Sequence, residues 1–75
     1  MNYETGDLSL CVFLSITGHK VIDIRCVSGR GIFAFKDTPE LRRDILRYTN
    51  DEPCTFRVRS FLNLMRDLKG LTRVA

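Results

Sequence analysis

The sequence contains no tryptophan, one histidine, two prolines and no long apolar run. No stretch approaches the roughly 18 apolar residues that a membrane-spanning helix needs, so we expect neither a membrane protein nor a membrane partner. The longest apolar stretch, Leu8–Ile16, lacks a basic flank and a cleavage site of small residues, which argues against a secretory signal. The sequence predicts a cytoplasmic protein.

Groups that support catalysis or metal binding are also scarce. His19 has no cysteine or serine at a spacing typical of a nucleophile and its base, and we expect it to be an exposed residue behind a helix end. Cys11, Cys26 and Cys54 lack the close ligand pairs of zinc sites and lie in apolar segments, where we expect buried free thiols. The sequence predicts no enzyme, no metal, no cofactor and no small-molecule substrate.

The length and charge of the chain limit its organisation. At 75 residues there is room for one hydrophobic core, so we expect a single domain over residues 1–75. Apolar residues make up 44% of the chain, which is enough for a globular fold and argues against disorder. The net charge of +3 is uneven, because residues 1–24 hold three acidic residues and one basic residue. A mild cationic excess therefore lies in the remainder, where it favours anionic partners.

The first part of the chain predicts a helix. Thr5 is a good N-cap, and the helix should run to about Thr17, where Gly18 supplies a left-handed residue. Apolar residues cover most of the circumference of this helix. We expect the helix to be central in the fold or shared with a second chain.

A β-hairpin should follow. Residues 20–27 alternate, which predicts a strand with Ile22, Ile24 and Cys26 on one side. A turn with two glycines leads into a returning strand over residues 32–35. Its two phenylalanines should share one face and form the aromatic floor under the helices.

The second half predicts two more helices. Thr38 and Pro39 form a strong helix start, and this helix should end near Thr49 with an inward face of Leu41, Ile45 and Tyr48. Residues 54–58 alternate weakly, which leaves two alternatives open: a short third strand, or a connection to helical structure that begins near Ser60. The third helix should place Phe61, Leu62, Met65 and Leu68 inward. The predicted fold is a small two-layer α+β domain of order helix, β-hairpin, helix, helix, in which a short strand before the last helix is left open and the helices pack on the hairpin.

A set of motifs spans nearly the whole chain. It consists of Tyr3-x-Thr5-x-Asp7-Leu8-x-Leu10-x-x-Phe13-Leu14 with Gly18 after it, Phe33-x-Phe35-x-Asp37 leading into Leu41, Tyr48-x-Asn50, and a closing group of Phe61, Arg66, Leu68 and Lys69. This set resembles a family of short bacterial and phage-associated domains that is known only as a domain of unknown function. The resemblance implies a shared core and shared helix caps, and it carries over no catalytic residue.

The apolar excess of the first helix raises the prospect of a subunit contact. Its two apolar stripes are either enclosed by the hairpin and the other helices, or one stripe is left for a second chain. If Leu10, Phe13 and Leu14 are not covered within the chain, they mark a self-association interface. We therefore predict a non-catalytic interaction module whose partner is a second copy, as a homodimer, or another protein.

Basic residues support an alternative function, that of a nucleic-acid-binding accessory protein. If the basic faces of the second and third helices adjoin, they would bind phosphates with an affinity that falls steeply with salt. Interspersed carboxylates such as Asp44 and Asp67 favour a solvated mixed-charge surface instead. The candidate nucleic-acid contacts are Arg30, Arg42, Arg43, Arg47, Arg59, Arg66 and Lys69.

Overall fold

The computed structural model describes residues 1–71. In chain order its elements are β1 (Asn2–Thr5), α1 (Leu8–Ile16), β2 (Val21–Val27), β3 (Arg30–Lys36), α2 (Pro39–Thr49) and α3 (Val58–Leu71). The strands form one antiparallel sheet in the order β1-β3-β2, and α1 contacts β1, α2 and α3. The predicted α+β class is confirmed, with a three-stranded sheet in place of the two-stranded hairpin. Within residues 1–71, no helix combines the length and the apolar character needed to cross a membrane.

The first element is a strand that the sequence did not predict. β1 pairs with β3, so that Tyr3 lies opposite Phe35. Helix α1 begins later, where the Asp7 carboxylate accepts a hydrogen bond from the backbone N–H of Leu10 at 3.2 Å. The prediction that Thr5 caps this helix was therefore wrong, because Thr5 ends β1 and its hydroxyl accepts from the Asp7 N–H.

The hairpin closes through a two-residue turn. Ser28 and Gly29 both have positive φ angles, 51° and 79°, which is the type I′ geometry that matches the twist of antiparallel strands. Val27 therefore pairs directly with Arg30, and the arginine opens β3 rather than lying within the turn. The returning strand was predicted, but it is longer than expected at both ends.

A register shift between Val21 and Asp23 changes which side chains of β2 face the helices. The extra residue resets the alternation, so Val21 and Ile24 pack against the core while Ile22 is exposed. The predicted inward side of β2 was wrong at Ile22 for this reason. Cys26 is also exposed, contrary to the prediction of a buried thiol.

Helix α2 forms as predicted. The Thr38 hydroxyl accepts a hydrogen bond from the backbone N–H of Leu41 at 3.0 Å, and Pro39 occupies the first turn. Leu41 is fully buried, and Ile45 and Tyr48 pack against the core.

The connection to α3 contains no strand, which decides between the two alternatives that the sequence left open for residues 54–58. Residues 52–57 are irregular, and helix α3 already begins at Val58. The inward face of α3 consists of Phe61, Leu64, Met65 and Leu68. Leu62, predicted to point inward, is instead exposed.

The core forms between the sheet and the helices. It contains Leu10, Cys11, Val12, Phe13, Leu14, Phe33, Phe35, Leu41 and Leu68. The two phenylalanines of β3 thus form the predicted aromatic floor. Burial raises the pKa of the Cys11 thiol to about 11, against the opposing effect of a hydrogen bond with Ser15. The Cys11 thiol is therefore protonated and unreactive at neutral pH.

Candidate functional site

The residues predicted to form a subunit interface lie in the core. Leu10, Phe13 and Leu14 are all buried within the chain, because α1 is enclosed by the sheet, α2 and α3. The two apolar stripes of α1 are thus satisfied by intramolecular contacts. Because these three side chains are covered within the chain, they cannot form a subunit interface. The exposed apolar surface lies elsewhere.

A groove of about 580 Å³ lies where α1, the end of α2, the irregular connection and the start of α3 meet. Four aromatic rings line it, from Phe13, Tyr48, Phe56 and Phe61. The Phe56 and Phe61 rings stack with centroids 4.9 Å apart and an interplanar angle of 25°, and the Phe13 and Tyr48 centroids are 5.6 Å apart. These ring contacts favour a fixed arrangement of the four side chains.

The lining of the groove also carries charge. Arg47, Asp51 and Glu52 contribute to it, together with the partly buried Cys54. The backbone of Asp51 has a φ angle of 54° where the chain turns after α2, and Asp51 and Glu52 line the same groove as the aromatic rings. The groove is therefore apolar at its walls and acidic along the connection.

An apolar strip on α3 continues from the groove. Phe56, two residues before α3, and Val58 and Leu62 within it are 40%, 67% and 52% exposed, and we call these three residues the α3 strip. Val58 lies one turn before both Phe61 and Leu62, so helix geometry places it between the groove wall and Leu62. The strip and the groove therefore form one continuous apolar surface.

Two arginines border the α3 strip on the side away from the groove. Arg59 is three residues before Leu62 and Arg66 four residues after it, so the three side chains form one column along the helix. Within residues 1–71, no carboxylate forms an ion pair with either arginine. Sequence analysis identified both arginines, but not the exposed leucine between them.

The other predicted nucleic-acid contacts have varied surroundings. Arg42 donates to Asp37 at 2.7 Å and lies 5.0 Å from the centre of the Tyr3 ring. This hydrogen bond lowers the pKa of Asp37 and raises that of Arg42. Arg30 is the first residue of β3, and Arg43 is exposed on α2. The seven predicted contacts, which also include Lys69, are thus divided among β3, α2 and α3. Arg42 and Arg47 form ion pairs with carboxylates of the same chain.

A histidine and a carboxylate link α2 to the end of α1. His19 Nε2 lies 2.6 Å from Asp44 Oδ2, and Arg47 donates to Asp44 Oδ1 at 3.2 Å. Burial opposes ionisation of Asp44, but the hydrogen bonds from His19 and Arg47 outweigh it, so the Asp44 pKa lies below its usual range. The prediction of an exposed His19 was wrong, because its side chain is only 18% exposed.

The His19 and Asp44 pair has a structural role in this geometry. It joins two segments separated by 25 residues, which no local pattern could have revealed. Among residues 1–71, no group of three or more His, Cys, Asp or Glu side chains is arranged to hold a metal ion. The open apolar surface of the described residues lies at the groove and the α3 strip.

Comparison with known proteins gives one result. A family model described as Domain of unknown function (DUF5659) matches residues 1–74. No curated protein matches the chain, and no solved structure matches it.

Proposed function

The chain belongs to this family of unknown function, and we propose that it is a non-catalytic binding module whose partner is another protein. The observation that carries the proposal is the α3 strip, which exposes three large apolar side chains beside an aromatic groove. Apolar surfaces of this kind, bordered by polar groups, are typical of sites where proteins bind one another.

Covering this surface would contribute favourably to the free energy of binding. Fully burying a valine or leucine side chain contributes about 1.5–3 kcal/mol, so covering the exposed half or more of Val58 and Leu62 would contribute about 1 kcal/mol each. Phe56 adds an aromatic ring that is already ordered by its stacking on Phe61. An ordered aromatic anchor loses little conformational entropy when a partner covers it.

A second copy of the chain, as a homodimer, was the partner that the sequence favoured. If two copies met through the α3 strip about a two-fold axis at Leu62, Arg59 of each copy would approach Arg66 of the other. Like charges in that position oppose the contact. A different protein is therefore the better occupant, and the homodimer is an outcome that the experiment below must separate.

Site-specific photo-crosslinking tests the proposal. A benzoylphenylalanine placed at Leu62 in the native host should crosslink to one discrete protein, whereas the same residue at Arg43 should not. Arg43 is the matched control because it is also exposed on a helix. The product at position 62 should disappear when Val58→Asp is added. Equal products from both positions would refute the proposal, and a product containing only the chain itself would establish the homodimer.

Nucleic-acid binding is the second candidate, and it is favoured by the arginines that lack carboxylate partners. Within the described part of the chain, Arg30, Arg43, Arg59 and Arg66 form no ion pair. If they bind phosphates, affinity for a mixed oligonucleotide should fall steeply with salt, and Arg43→Glu and Arg66→Glu should weaken it to a similar degree. A cytoplasmic location and a bacterial or phage origin, both expected from the sequence, stay predictions.

A further inference from the structure

The charges around the α3 strip restrict the charge pattern of any helix that binds there. We infer that the strip binds an amphipathic helix that is acidic along one flank only. The inference rests on the proposed function and specifies its partner. Its starting point is the column formed by Arg59, Leu62 and Arg66, in which an exposed apolar side chain lies between two cations.

These two arginines differ from several others in the chain. Arg25, Arg42 and Arg47 each form an ion pair with a carboxylate of the same chain. Within residues 1–71, neither arginine of the column does so. Both are exposed, and their charges are available to an anionic partner.

Across α3 the surface changes from acidic, at the groove, to apolar and then to basic. Asp51 and Glu52 line the groove on one side together with Arg47, whose charge is offset by its ion pair with Asp44. The α3 strip lies in the middle, and Arg59 and Arg66 border the far side. A partner whose carboxylates entered the groove would meet these acidic residues and be repelled. Its carboxylates must therefore lie over the arginines, while its apolar face covers the strip.

The spacing of the arginines sets the spacing in the partner. Arg59 and Arg66 are seven residues apart, which is about two helical turns or about 10 Å along the axis. A helix packed alongside α3 meets both with carboxylates that are also two turns apart, and it presents apolar side chains between them. Nucleic acid lacks such an apolar face, and its phosphates would leave Val58 and Leu62 uncovered.

Designed peptides test this inference with the whole chain. The probe is a fluorescent helix of about four turns with leucine on one face, glutamate along one flank and glutamine along the other. One control peptide has the glutamates replaced by glutamine, and a second has glutamate along both flanks, so that in either direction one acidic flank must face Asp51 and Glu52. Anisotropy titrations should show the first peptide binding at least about tenfold more tightly than either control.

Variants of the chain identify the surface. Arg59→Glu and Arg66→Glu should each weaken binding of the acidic peptide by roughly three- to tenfold, because an ion pair is replaced by a like-charge contact. Arg43→Glu makes the same change in net charge on α2 and should leave binding unchanged at moderate salt. Leu62→Asp should abolish binding of all three peptides, and circular dichroism should show that each variant remains folded.

The outcomes separate this inference from the proposed function. If all three peptides bind equally and Leu62→Asp abolishes that binding, the strip is a protein-binding surface but the acidic partner is refuted. If Arg43→Glu weakens binding as much as Arg66→Glu, the interaction is non-specific attraction of polyanions, and an oligonucleotide of matched charge should then compete. If the acidic peptide does not bind, the inference is wrong.

Discussion

Two leucines on α3 provide a sharp test of how this helix is oriented. Leu68 is 5% exposed and belongs to the core, whereas Leu62 is 52% exposed. Leu68→Ala should cost about 2–5 kcal/mol, because it removes buried methyl groups and leaves a cavity. Leu62→Ala should change the stability by no more than about 0.5 kcal/mol, as is usual for exposed positions. Both changes replace leucine by alanine within one helix, so their effects on helix propensity nearly cancel.

Urea denaturation monitored by circular dichroism measures the difference. A chain of 75 residues has a total stability of about 4–11 kcal/mol, so Leu68→Ala should lower the urea midpoint greatly or leave the chain unfolded. Leu62→Ala should keep both the midpoint and the slope of the parent protein. Equal losses from the two variants would show that Leu62 is buried, and would remove the α3 strip on which the proposed function depends.

Three further predictions concern other parts of the chain. The folded pKa of Asp44 is lowered by His19 and Arg47 against the effect of burial, so its stabilising contribution is present above its unfolded pKa and is lost as the pH falls through the folded pKa. Stability in urea measured down the acid range should therefore decline less steeply in Asp44→Asn than in the parent. The buried Cys11 thiol should react with a thiol reagent only at the rate of unfolding, whereas the exposed Cys26 reacts at once, and mass spectrometry of the labelled peptides would show the reverse order if the core assignment is wrong. Ser28→Asn should raise the stability by about 0.5 kcal/mol or more, because asparagine tolerates the positive φ of the type I′ turn better than serine; a lower melting temperature would contradict this turn geometry.

The elements that the sequence predicted well are those defined by local signals. Thr38 and Pro39 start α2 because a hydroxyl cap and a preset φ act on the next few residues only. The alternation around Phe33 and Phe35 likewise depends on the strand's own period. Such features need no knowledge of the rest of the fold.

The elements that were missed depend on distant partners. β1 has four residues, too few for a periodic pattern, and it is a strand because it pairs with β3. The bulge at Ile22 is likewise defined by its pairing with the neighbouring strand. Leu62 and Leu64 both fit an apolar stripe on α3. The packing of α3 on α1 places Leu64 against the core and leaves Leu62 exposed.

The candidate site also combines features that local sequence signals predict with features that depend on distant parts of the chain. The column of Arg59, Leu62 and Arg66 could be recognised from its spacing, but its exposure could not, since that depends on the rotation of α3 about its axis. The groove joins side chains from α1, α2, the connection and α3. A surface assembled from four segments has no signature in any one of them.

The position of β1 at the sheet edge has a consequence for the order of folding. The hairpin of β2 and β3 closes over a two-residue turn, whereas β1 pairs with residues about thirty positions away, as Asn2 does with Lys36. Closing the longer loop costs more entropy and should occur later. During translation, β1 should thus wait until β3 has emerged before it pairs. In pulsed hydrogen exchange, amides of β1 should become protected after those of β2, and the opposite order would contradict this sequence of events.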